Sequence, residues 1–129
     1  MTNPVAEAQS LTSPVLDAAI LARAKNIVEE KFPKMASYFI EDCAIYIGQI
    51  TEALEALSAE SLIPPAHTLK SSSRYMGALR MADIAEQIET EARETIKGSG
   101  SIVAVPGLLK ELRRVFAETK MVLQTYLTG

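Results

Sequence analysis

The sequence predicts an all-α protein, an antiparallel up-and-down four-helix bundle with an additional N-terminal helix capping or flanking it. Three observations carry that prediction. Apolar residues recur at three- and four-residue spacing along nearly all of the 129-residue chain, the period of a helix that buries one face. Prolines and glycines divide the chain into helix-sized pieces joined by short links, as in an up-and-down bundle. The only run with strand character, Ile102-Val103-Ala104-Val105, is too short and isolated to build a sheet.

Residues 1–12 carry no clear periodicity and are expected to be a flexible segment, with the bundle domain spanning 13–129. Ser13-Pro14 reads as a helix opening, because serine can cap free N–H groups and proline suits the first helical position. The stripe that follows is Leu16, Ile20, Ala24, Ile27 and Val28. Pro33 interrupts it and is expected to start the second helix, whose apolar side is Phe39, Cys43, Ile47, Ile50, Leu54 and Leu57; Glu41, Gln49, Glu52 and Glu55 lie away from it. A break is expected from Ser58 to Ile63. Pro64-Pro65 suits a first turn, so the third helix is predicted from about Pro64 to Tyr75, with Gly77 as its stop. The fourth covers roughly Leu79 to Lys97, with Met81, Ile84, Ala85, Ile88, Ala92 and Ile96 inward. After the Gly98-Ser99-Gly100-Ser101 loop, the last helix begins between Ile102 and Leu108. It buries Leu108, Leu112, Val115, Phe116, Thr119, Val122, Leu123 and Tyr126.

Composition excludes several classes of function. A net charge of −3 offers no basic stripe for nucleic acid. No apolar run approaches the length needed to span a bilayer. The N-terminal segment lacks the basic start and apolar stretch of a secretory signal, so a cytoplasmic protein is expected, and a bundle of this size is expected to be a monomer. The chain has one cysteine and one histidine, so an intrachain disulfide is ruled out and a Cys/His zinc site is short of ligands. Cys43 sits among Phe39, Tyr46 and Ile47 at helical spacing and reads as a small core residue.

The informative residues are on the third helix. On a helical wheel, Leu62, Ala66, Leu69, Ser73 and Met76 share one side, while His67, Lys70, Ser71 and Arg74 share the other. Offsets of three, four and seven from the histidine stack these side chains on one face. An ordinary solvated face would look similar. A neutral imidazole, however, presents a nucleophilic nitrogen near pH 7, since its reference pKa is about 6.5. Lys70 and Arg74 can offset the negative charge of a phosphoryl group that it accepts. A convex, exposed site of this kind suits a partner's pocket better than a small substrate.

The run from His67 to Ala78, HTLKSSSRYMGA, resembles the signature of histidine-containing phosphotransfer domains. His67, Leu69, Lys70, Ser73, Gly77 and Ala78 match it in identity and spacing, and helix order and lengths agree from about Leu16 to Leu127. The resemblance implies that His67 is the phospho-acceptor, through its outer ring nitrogen, and that Lys70 offsets phosphoryl charge. Glu89 occupies the fourth-helix position where the family often has Gln or Glu beside the histidine. It either receives a hydrogen bond from the inner ring nitrogen or is simply an exposed carboxylate next to core Ile88. The family's glycine after the lysine is Ser71 here. Serine is still small, so partner access is expected to survive with altered docking, and its hydroxyl could bond a phosphoryl oxygen.

By this resemblance the protein carries phosphate between receiver domains of a hybrid histidine kinase and a response regulator. It is not an independent enzyme and has no nucleotide loop. No cofactor is expected on this chain; Mg²⁺ is expected in the receiver. Ser71, Arg74 and Ile63 are candidates for partner contact, with Met76 and exposed parts of the first two helices. Gly77 and Ser73 are read as structural: a helix stop and a small residue for close packing. The competing readings are a non-phosphorylated helical adaptor that binds receiver or kinase domains, and an enzyme using His67 as general base. The latter lacks a paired acid or nucleophile on the same face.

Overall fold

The computed structural model describes residues 13–128; the flexible segment expected over residues 1–12 lies outside them. The chain forms α1 (Ala18–Val28), a 3₁₀ turn (Glu29–Lys31), α2 (Phe32–Glu55), α3 (Ala59–Met76), α4 (Leu79–Ile96), a second 3₁₀ turn (Ile102–Ala104) and α5 (Val105–Thr128), with no strand among the described residues. Helices α2 to α5 pack in chain order and α2 closes the ring against α5. The tight links at residues 56–58 and 77–78 make neighbours antiparallel. The expected four-helix bundle with an extra N-terminal helix is therefore the observed architecture. Its interior is filled by Cys43, Ile50, Leu62, Leu69, Met81, Ile88, Leu112, Val115 and Leu123, all fully buried.

The first helix does not open at Ser13-Pro14. Asp17 is its cap, with a carboxylate oxygen accepting the Ile20 N–H at 3.0 Å. Ser13 and Pro14 lie instead across the start of α4. The Pro14 carbonyl accepts the Arg80 N–H (3.0 Å), the Ser13 carbonyl accepts Arg80 Nε (2.9 Å), and the Ser13 hydroxyl donates to Asp83 (2.5 Å). The cause lies in α4. Its N-cap residue is Ala78, which has no side-chain oxygen, so the orphan first-turn donors of that helix need acceptors from elsewhere in the chain.

Gly77 seats α1 on the α3–α4 corner. It has φ +82°, and its carbonyl accepts the Asp17 N–H at 2.7 Å. A Cβ there would meet the Asp17 carbonyl at 2.8 Å. The expected stop is thus also a docking point that only glycine fits.

The third helix begins at Ala59, well before Pro64. Ser58 caps it, accepting the Ser61 N–H at 3.1 Å, and Leu62 in the added first turn is fully buried. Pro64 and Pro65 therefore lie inside the helix and deprive the Glu60 and Ser61 carbonyls of their i→i−4 donors. Both of those residues are exposed, so water can take the place of the missing donors. Leu57, assigned to the α2 stripe from sequence, is exposed and left-handed (φ 52°). It ends α2 as the Ser58 N–H returns to the Ala53 carbonyl at 2.9 Å. Ile27, Ile96 and Tyr126 are likewise exposed, whereas Leu21 and Leu109 are buried in addition to the expected residues. No described helix is long and apolar enough to cross a membrane.

Candidate functional site

Small residues bring α3 and α4 together. Ala66 and Ser73 on α3 and Ala82, Ala85 and Ala92 on α4 are all fully buried, and this pair makes the most extensive helix contact in the bundle. Glu89 follows Ala85 by four residues and Ala82 by seven, so it shares their face and is drawn to the seam. It is 5% exposed. Of the two readings open from sequence, an exposed carboxylate beside Ile88 is the one the geometry removes.

At that seam Glu89 gathers three partners. Its Oε2 lies 3.0 Å from His67 Nδ1 and accepts Nε and Nη2 of Arg93 at 3.0 and 2.7 Å. Its Oε1 lies 2.8 Å from Lys70 Nζ. Burial alone would raise the Glu89 pKa, but the hydrogen bonds from Lys70, Arg93 and His67 outweigh it and hold the carboxyl down at about 2. Glu89 is therefore ionised at neutral pH and has no proton to give. A neutral His67 must then carry its proton on Nδ1, which leaves the lone pair on Nε2. The histidine side chain is 55% exposed, and it is Nδ1, not Nε2, that is engaged by the buried carboxylate. With Lys70 and Arg93 positive and Glu89 negative, the cluster has one net positive charge for an incoming anion.

The other site residues named from sequence fall around this cluster. Lys70 is directed to Glu89 and mostly covered, with 16% of its side chain exposed. Ser71 is exposed, but its hydroxyl donates back to the His67 carbonyl at 3.2 Å, the usual local bond of a mid-helix serine. Arg74 pairs with Glu86 across to α4 at 2.8 Å, both half exposed. Ile63 is half-buried against the core, Ser73 is fully buried, and Met76, offered as a contact residue, is a core side chain at 2% exposure. Cys43 is buried and its thiol is raised to about 12 by that burial and by Asp42, so it is not a nucleophile. Among the described residues no group of three or more His, Cys, Asp or Glu is disposed to hold a metal ion.

Sequence reasoning missed two features. Arg93 binds the same Glu89 oxygen as the histidine, and its signal was the acid-then-base spacing of four on one helix. A groove between α2 and α3 is lined by Met35, Tyr38, Asp42, Ser71, Tyr75 and Met76, and its two tyrosines are about half exposed.

Comparison with known proteins gives concordant results. Residues 34–119 match the Hpt domain family. The crystal structure of histidine-containing phosphotransfer protein B (HptB) from Pseudomonas aeruginosa PAO1 aligns with a TM-score of 0.81 and 26% sequence identity, covering 89% of this chain and 96% of that one. No curated protein sequence matches.

Proposed function

Since the chain belongs to the Hpt domain family, we propose that it is a phosphoryl carrier that accepts the group on His67 Nε2 from a receiver-domain phospho-aspartate and passes it to a second receiver. One observation carries this reading: a buried carboxylate engages Nδ1 of a histidine whose side chain is more than half exposed. In the transfer, the Nε2 lone pair forms a bond to phosphorus. The bond from phosphorus to the aspartyl oxygen breaks, and its electron pair leaves with the aspartate carboxylate. No proton need depart. The ring becomes a phospho-imidazolium, its positive charge faces Glu89, and its N–H remains on Nδ1. The reverse sequence delivers the group to the next aspartate.

Lys70 is the cation we assign to the phosphoryl oxygens. It lies one turn from His67 on the same face, and its flexible stem lets the ammonium turn outward. The groove beside Ser71 supplies apolar surface for a receiver, with the tyrosines as contact area. Receivers of a hybrid histidine kinase and of a response regulator are the partners in this reading, Mg²⁺ belongs to the receiver's aspartate pocket, and the carrier acts as a cytoplasmic monomer.

The test is to mix the purified chain with a phosphorylated receiver and assay it for acid-labile phosphate. Label is expected on the wild type and absent from His67→Gln. Tight receiver binding without label, unchanged in His67→Gln, would instead identify an adaptor.

A further inference from the structure

We propose that Arg93 is a positioning residue of this site: it anchors the Glu89 carboxylate on His67 Nδ1, so that Lys70 can leave that carboxylate for the phosphoryl group without the imidazole losing its orientation. The inference rests on the reading of His67 as the acceptor and extends it to a residue outside the motif.

The number of cations on the carboxylate is decisive. A buried carboxylate left without a cation is costly and relieves that cost by taking a proton or by swinging to solvent. Either change would disrupt the acceptor that keeps the histidine proton on Nδ1. If Lys70 were the only cation on Glu89, its movement toward phosphate would have this effect at the moment of transfer. Arg93 removes the conflict. It binds Oε2, the oxygen shared with His67, through two nitrogens, while Lys70 holds the other oxygen. The two cations therefore occupy separate oxygens, and one can depart while the other stays.

Their positions fit those roles. Lys70 is on α3 with His67, on the face where the phosphoryl group arrives. Arg93 is on α4, one turn from Glu89 on the same helix, and bonds the carboxylate from there. Its planar fork needs little reordering to hold one oxygen.

The chain has a single histidine, so imidazole ¹⁵N chemical shifts of the untagged, unphosphorylated protein report its tautomer without overlap. The wild type should show the Nδ1–H tautomer in about tenfold excess, as a hydrogen bond to a charged group gives. Arg93→Gln should remove most of that excess, and Arg93→Lys should restore part of it. Lys70→Ala should retain it, because Arg93 still holds Glu89. In transfer assays, Arg93→Gln should lower the rate at saturating receiver by about tenfold with the half-saturating concentration unchanged.

A wild-type tautomer ratio in Arg93→Gln overturns the proposal. So does a loss of the excess in Lys70→Ala, an arm that holds even if Arg93→Gln fails to fold. A wild-type chain that never takes phosphate from a receiver brings down the carrier reading instead, whatever the tautomer measurements show.

Discussion

At the scale of single residues, Glu89 organises the site. Its carboxyl is held at about 2 against an ordinary 4.5, so the folded state binds a proton less readily than the unfolded chain. The stabilisation is complete above about pH 4.5 and is lost as acid carries the pH down toward 2. A shift of that size corresponds to about 3 kcal/mol. Acid unfolding of the wild type, followed by far-UV circular dichroism between neutral pH and pH 2, should therefore show a destabilisation that Glu89→Gln lacks in large part. An identical acid limb in both proteins would show that the carboxylate is not coupled to folding. Lys70 acts on the same carboxylate. Sequence alone suggests that its loss leaves stability untouched, as for an exposed cation. Its covered position on Glu89 changes that expectation: Lys70→Ala should slow transfer and also cost about 1–2 kcal/mol in urea unfolding, as the loss of a hydrogen bond to a charged group does.

At the scale of elements, helix ends decide where the site sits. Ser58 starts α3 early, which places His67 in the middle of a helix rather than in its first turn and buries Leu62 in the added turn. Gly77 ends the same helix in the left-handed conformation and receives α1. Gly77→Ala faces both a strained φ and a Cβ contact of 2.8 Å with the Asp17 carbonyl. It should lose about 2 kcal/mol or more, visible as a lowered Tm, with enhanced amide exchange at Asp17 and in α1. A Tm equal to the wild type would mean that the corner relaxes without cost.

At the scale of the whole molecule, α1 and the strap before it are attached to the bundle rather than part of it. Leu21, at 1% exposure, is the main apolar anchor of α1, and Ser13 and Pro14 complete the first turn of α4. The site cluster draws only on α3 and α4. Leu21→Ala should therefore destabilise the protein by about 2–4 kcal/mol, with a Tm lower by roughly 10 °C, while the phosphotransfer rate measured well below Tm stays at the wild-type value. A rate that falls with stability would show that α1 supports the site directly.

The fold class, the helix count and the face that carries His67, Lys70 and Ser71 are legible in the residue order alone. These follow from local spacing, because a helix of fixed pitch converts residue number into direction. The residue order misplaced the openings of α1 and α3: Ser13 reads as a cap but is drawn to the orphan donors of α4, and Pro64-Pro65 reads as a first turn although the burial of Leu62 extends the helix back to Ser58. It left Glu89 open and passed over Arg93. Whether Glu89 is an exposed acid or a buried anion depends on how closely α3 and α4 approach, which the alanines permit but do not state. Contacts within a helix are written in the chain order; the distance between two helices is set by all the side chains packed between them, and that is where the histidine acquires its partner.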